Sequence, residues 1–140
     1  MNILLLTPGI NKKFNDNYYA YQYIAENKYK ILAISNMENI LKGAGVELSP
    51  EVEFDGNISI FRIFKTLKEQ RVCYLAMKKY SIIKNILKKF KPDIIFCENS
   101  FNMPIAVKIK KDFHIPIVLR LEFLFNWNRP YDILGHQEFL

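Results

Sequence analysis

Residues Pro92 to Glu122, PDIIFCENSFNMPIAVKIKKDFHIPIVLRLE, decide the fold. They comprise an apolar strand from Asp93 to Cys97, a polar elbow, an amphipathic helix from Phe101 or Asn102 to Phe113, a short turn and an apolar strand from Ile115 to Leu121. A right-handed crossover between two parallel strands takes about thirty residues, so the stretch reads as one βαβ unit. Pro104 falls in the first helical turn, where its missing N–H costs no internal hydrogen bond. Glu98 and Glu122 follow the ends of the two strands, and in open parallel sheets ligands bind at that edge.

The chain before this unit repeats the same alternation. Asn2 to Thr7 is a continuous apolar run, as expected for a strand covered on both faces. Pro8-Gly9 breaks it, and a polar loop with Lys12 and Lys13 leads to Asn15 or Asp16 as the cap of a helix over Asn17 to Asn27. Tyr18, Tyr21, Ile24 and Ala25 form the sheet-facing side of that helix. Tyr29 to Ser35 is the second strand. Asn36 is placed to cap one helical turn through Leu41, ended by Gly43-Ala44-Gly45. Val46 to Asn57 reads as an irregular or hairpin-like insertion, and Ile58 to Ile63 as a third strand toward one edge. A long helix is expected from Phe64 or Thr66 to Phe90. Its apolar residues Val72, Leu75, Ala76, Ile82, Ile83, Ile86, Leu87 and Phe90 share one face, and Lys91-Pro92 stops it. After Glu122 the chain turns aromatic and irregular, with Phe123, Phe125, Trp127 and Tyr131 either completing the core or presenting a surface to another domain or copy.

These elements predict an α/β domain, a doubly wound, mainly parallel sheet with helices on both faces and strand order 3-2-1-4-5. Ligand chemistry is then expected at the loops after Thr7, Cys97 and Leu121. The 140 residues suit one domain, 1–140, and half of them are hydrophobic, which excludes a disordered chain. No apolar run approaches the eighteen or so residues of a membrane span, and Ile3 to Leu6 is too short for a signal peptide. A cytoplasmic location is the expectation, with peripheral contact at the inner membrane face left open. Cys73 and Cys97 read as reduced core residues; neither they nor His114 and His136 have metal-ligand spacing, so no metal site is implied.

Charge is uneven. Arg62 to Lys91 holds ten basic residues against Glu69 alone, in a chain whose net charge is +6, so the remainder is acidic on balance. Lys78, Lys84, Lys88, Lys89 and Lys91 in the long helix are candidates for a surface that meets anionic lipid or nucleic acid, nucleic acid being the weaker option, or for a plain solvated face.

Absent motifs narrow the chemistry. TPGINKKFNDN after the first strand contains neither G-x-G-x-x-G nor G-x-x-x-x-G-K-[ST], and no G-x-S-x-G elbow occurs. Met1 to Gly9, Pro92 to Ser100 and Ile115 to Glu122 together resemble the N-terminal half of the GT-B glycosyltransferases, in particular the family 4-like N-terminal domain. The family pattern has a methionine-initiated apolar strand closing on a proline loop, a Pro-Asp strand ending in a polar elbow, and an I-P-x-V turn into the next strand. The resemblance implies a Rossmann-like acceptor-side half of an enzyme that transfers a sugar from a nucleotide-sugar to a sugar or lipid-linked acceptor. It implies no resident cofactor or metal, and a partner in the form of a C-terminal donor-binding domain or second chain. This chain has one glycine in the first loop where the family often has two, and Glu98 and Glu122 where it often has histidine. Gly9, Asn11, Lys12, Glu98, Asn99 and Glu122 are the candidates for acceptor binding; no catalytic residue is assigned. The competing reading is a stand-alone, non-catalytic binding module for an anionic ligand, a membrane surface or nucleic acid, with a homo-oligomer left open.

Overall fold

A computed structural model of the chain describes residues 1–11, 18–40, 46–98 and 100–120. In chain order the elements are β1 (Asn2–Leu6), α1 (Tyr18–Glu26), β2 (Lys30–Asn36), β3 (Glu38–Ile40), β4 (Val46–Leu48), β5 (Val52–Asp55), β6 (Ile58–Phe64), α2 (Leu67–Arg71), α3 (Cys73–Met77), α4 (Tyr80–Phe90), β7 (Ile94–Glu98), a 3-10 turn (Ser100–Asn102), α5 (Met103–Phe113) and β8 (Ile117–Arg120).

Six strands form one sheet in the order β5-β6-β2-β1-β7-β8. Five of them, β6-β2-β1-β7-β8, are parallel neighbours and reproduce the expected 3-2-1-4-5 order. The addition is β5, paired antiparallel to β6 at the edge, so the third expected strand lies one place inside the sheet. The antiparallel β3-β4 ribbon stands apart. It replaces the single helical turn expected after Asn36, because Asn36 Oδ1 accepts the Glu38 N–H at 3.0 Å and Met37 N–H donates to Phe64 O at 2.9 Å, holding the backbone extended.

Alternating side chains bury both faces of the sheet, as a parallel sheet between helices requires. Leu4, Leu6, Leu32, Ile34, Ile95 and Cys97 pack against Ile83 and Leu87 of α4 and Ile105, Ala106 and Ile109 of α5. Leu5, Ile31, Ala33, Ile58 and Ile60 pack on the other side against Tyr18, Tyr21 and Ala25 of α1. Three of the four residues expected on the buried side of α1 are fully buried, and Ile24 packs against them at the margin. A bulge in β6 sets Arg62 opposite Ser35 and Phe64 opposite Asn36. The extra residue turns Phe64 onto the face shared with α4. Burial pushes the Cys97 thiol up to about 12. Cys73, expected in the core, is exposed.

The expected long helix is three helices. Thr66 Oγ1 accepts the Glu69 N–H and Glu69 accepts the Lys65 N–H, each at 3.0 Å, which fixes the start of α2 after β6 has run to Phe64. Val72 then takes an extended backbone (φ −84°, ψ 113°) and ends α2, and Lys78 and Lys79 separate α3 from α4. α4 stops at Lys91 as expected, by a left-handed cap (φ 54°) whose N–H donates to Leu87 O at 2.8 Å. The expected cap at Asn15 or Asp16, the stop at Gly43 to Gly45 and the aromatic residues after Glu122 lie outside the described residues.

Two glycines give a direct check on the backbone. Gly56, in the β5–β6 turn, has φ +58°. Gly56→Ala is expected to cost about 1 kcal/mol through its left-handed conformation. Gly9 has no such φ, and a Cβ there would meet nothing within 4 Å. Gly9→Ala is expected to stay within about 0.5 kcal/mol of the parent in urea unfolding.

Candidate functional site

Thr7 follows β1 and is fully buried at the C-terminal edge of the sheet, between β2 and β7. Strand order reverses direction about β1, so this is the position where an open parallel sheet leaves a crevice. Glu98 and Gln70 bond Thr7 directly, and through them Arg120, Asn36 and Asn102 join one polar cluster.

On one side its hydroxyl donates to Glu98 Oε2 at 2.5 Å and receives the Gly9 N–H at 3.3 Å. Glu98 is the last residue of β7 and only 3% exposed; its other oxygen has Arg120 Nη1 at 3.9 Å. The register places Arg120 of β8 directly beside Glu98, so Thr7, Glu98 and Arg120 form a row across three strand ends. On the other side Gln70 Nε2 donates to the Thr7 carbonyl at 2.8 Å and to Asn102 Oδ1 at 2.9 Å. Gln70 Oε1 accepts from Asn36 Nδ2 at 2.7 Å, and that same amide donates to Pro8 O at 2.6 Å. Asn36 ends β2, Gln70 lies in α2, and Asn102 precedes α5.

Asn102 sits at the N-cap position of α5 but makes no side-chain cap bond. Its side chain is instead turned into the cluster, 2% exposed, and its Nδ2 has no hydrogen-bond partner among the described residues. A buried amide N–H₂ left without a partner costs about 1 to 3 kcal/mol, so native structures seldom retain one unless something else binds it. The cluster therefore offers hydroxyl, amide and carboxylate groups of the kind that recognise neutral hydroxyls, with both N–H donors of the Asn102 amide to spare.

Of the residues singled out in the sequence, Glu98 is in the cluster, as a buried strand residue rather than the solvated loop acid its position suggests. Gly9 touches the cluster through its N–H. Asn11 is half-buried in the loop after β1. Lys12, Asn99 and Glu122 lie outside the described residues. Sequence reasoning missed Thr7, Asn36, Gln70, Asn102 and Arg120. Thr7 and Asn36 had one available signal, a polar residue closing an apolar strand. Gln70 had none, being a neutral residue within an apparently continuous basic helix.

Arg62 supports the cluster from below. It is buried, and donates from Nη2 to Ile10 O at 2.9 Å and from Nη1 to Pro50 O at 3.2 Å and Glu53 Oε2 at 2.9 Å. It thereby ties the loop after β1 to β5 and β6. Tyr18 adds a second tie, its hydroxyl donating to Asp55; burial first and this bond second push its pKa well up.

The lysines expected to form an anion surface are spread over the α4 side. Lys78, Lys88, Lys89 and Lys91 are exposed. Lys88, Lys89 and Lys91 lie at the end of α4 that feeds β7, the opposite end of the sheet from Thr7. Lys84 is 3.7 Å from Asp112. Asp112 also accepts from Tyr80 Oη at 2.7 Å and pairs with Lys108 at 3.3 Å, joining α5 to α4. The Tyr80 bond, followed by the Lys108 and Lys84 charges, holds its carboxyl below the usual range. A depressed carboxylate contributes stability above its unfolded pKa, near 4, and loses it as pH falls through the lower folded value. Asp112→Asn is accordingly expected to flatten the fall in stability below about pH 4, read from urea midpoints between pH 7 and 3, with little change in slope at higher pH.

Among the described residues, no His, Cys, Asp and Glu side chains gather in threes as a metal site would need, and no helix is long and apolar enough to cross a membrane.

Sequence comparison finds no family profile and no curated protein that matches the chain. Comparison of folds finds the sucrose-phosphate synthase of Thermosynechococcus elongatus, with a TM-score of 0.63 and 10% identity over 99% of this chain. The match covers 40% of that protein, so the present chain spans less than half its length. At this identity the likeness is one of fold alone, and the fold is a Rossmann-like α/β domain.

Proposed function

We propose that the chain is the acceptor-binding, N-terminal-type half of a GT-B glycosyltransferase and works with a donor-binding domain supplied by further sequence or by a partner chain. The observation that carries this reading is the unpartnered Asn102 amide within a buried hydroxyl, amide and carboxylate cluster at the strand-order switch. Hydroxyls of a sugar or lipid-linked acceptor supply both donors and acceptors to such a cluster. Glu98, fixed by Thr7 and Arg120, serves to hold an acceptor hydroxyl beside Gly9 and Asn11, and Lys12, Asn99 and Glu122, which lie outside the described residues, complete the proposed acceptor-binding set.

The test is sugar transfer from nucleotide-sugars by residues 1 to 140 with and without a donor domain, together with amide NMR of the labelled chain during saccharide titration. The expected result is no transfer by the chain alone and saccharide-dependent shifts at Gly9, Gln70, Glu98 and Asn102. Transfer or donor hydrolysis by the chain alone, or saccharides that leave those amides unmoved, would overturn the reading.

A second reading, a non-catalytic module that meets an anionic surface at the inner membrane face, draws on the exposure of Lys78, Lys88, Lys89 and Lys91. Binding to anionic vesicles, compared with duplex and single-stranded DNA at matched salt, discriminates it. Counterion release makes nucleic-acid binding fall steeply with salt.

A further inference from the structure

Among the described residues, the helices α4 and α5 cover the centre of one sheet face and leave the β5–β6 edge of that face open. α4 carries two apolar stripes. Ile83 and Leu87 are fully buried against the sheet, whereas Ile82 and Ile86, one residue earlier in each turn, flank a trench between the helix and the β5–β6 hairpin. Two adjoining cavities of about 520 Å³ and about 370 Å³ make up the trench and share Phe61, Ile82 and Ile86 as walls. Ile82 is 48% and Phe54 70% exposed, and the Phe54 ring stands edge-on to Phe61 at 6.4 Å between centroids. This is the size and apolar character of a ligand pocket rather than of scattered surface residues.

Its charged groups differ in their pairing. At the end nearer the β3–β4 ribbon, Lys79 is 3.6 Å from Glu69, Arg62 is held by Glu53, and the exposed Lys65 and Glu51 carry opposite charges on the same wall. At the other end Lys89 is exposed, and no ion pair neutralises it among the described residues. Among the described residues, Lys89 is the one charged residue lining the larger, apolar cavity, and an open ammonium at its mouth complements one negative charge on one hydrocarbon chain. From Lys89 to Ile82 the helix alone spans about 10 Å, and the second cavity prolongs the trench in the same direction, so it fits a linear chain better than a ring. A second copy pairing through the open edge of β5 is disfavoured. Glu51, Glu53 and Asp55 alternate along that strand, and every antiparallel self-pairing sets acid opposite acid.

We propose that this trench binds a long-chain fatty acid, its alkyl chain against Phe54, Phe61, Ile82 and Ile86 and its carboxylate at Lys89. The site shares no residue with the Thr7 cluster and stands independently of the function proposed above.

The test is isothermal titration of the chain with saturated fatty acids of eight to fourteen carbons below their micellar concentrations. Affinity is expected to rise with length, by up to about fifteenfold per two methylenes, until the trench is filled. Lys89→Glu is expected to weaken laurate at least tenfold, and Ile82→Asn severalfold, while Lys111→Glu on α5 changes nothing. Both affected side chains are exposed, and unchanged thermal midpoints and far-UV circular dichroism establish that the variants fold. Dodecyltrimethylammonium binding as tightly as laurate, indifference to Lys89→Glu, or binding to phosphatidylglycerol vesicles without binding to monomeric laurate would each overturn the proposal.

Discussion

Arg62→Met is expected to lower the stability of the domain by about 3 kcal/mol, measured by urea unfolding. The guanidinium lies buried in β6 and supplies hydrogen bonds to the carbonyls of Ile10 and Pro50 as well as to Glu53. Methionine fills most of the volume but leaves both carbonyls without that donor, and each such loss costs about 1 to 3 kcal/mol when the group is buried. Glu53 is 35% exposed, so Glu53→Gln is expected to cost only about 1 kcal/mol, since solvent screens that part of the interaction. The order of the two effects is the informative part. Equal costs would mean that the ion pair, and not the carbonyl bonds, is what matters. A cost below about 1 kcal/mol for Arg62→Met would remove the case that this residue anchors the loop after β1.

Gln70→Leu is expected to be nearly as severe, again about 3 kcal/mol, because one buried side chain serves three partners. It donates to the Thr7 carbonyl and to Asn102, and it accepts from Asn36. Leucine has similar bulk, so the loss is in polar satisfaction rather than in packing. A double-mutant cycle with Asn102→Leu separates the two: removing both amides eliminates groups that the single variant leaves unpaired, so the double variant is expected to cost less than the sum. Additive costs would show that Gln70 acts through packing alone. In saccharide titrations Gln70→Leu is also expected to abolish the shift at Asn102, because Gln70 sets the orientation of that amide.

The unpartnered Asn102 amide and the trench beside α4 have a common origin: in each, the local pattern is satisfied and the long-range partner is missing. In the sequence Asn102 reads as a possible first residue of α5 and α4 as the end of a basic amphipathic helix, and both descriptions are locally adequate. The structure departs from them where an N-cap residue turns its side chain away from the cap, and where, among the described residues, no element covers a second apolar stripe.

The strands β1, β2, β7 and β8, the helices α1 and α5, and their strand order were all legible in the sequence. Each strand is a short apolar run, each helix has a 3.6-residue pattern, and right-handed crossovers leave few arrangements open. The broken helix was not legible, because Val72 continues the apolar periodicity and only its extended backbone ends α2. The antiparallel β5 was hidden by its acids, which alternate with Val52 and Phe54 as an edge strand permits. The Thr7 cluster was the least legible of all. Asn36 and Gln70 are 34 residues apart, and Gln70 and Asn102 are 32 apart, in three different elements. By itself the sequence determined the parallel strands, the helices α1 and α5 and their order, because those follow from patterns a few residues long. Which polar side chains meet at the C-terminal edge of the sheet, and which apolar stripe is left uncovered, was decided only by the tertiary structure, because hydrogen bonds and packing across some thirty residues of chain leave no periodic trace in the sequence.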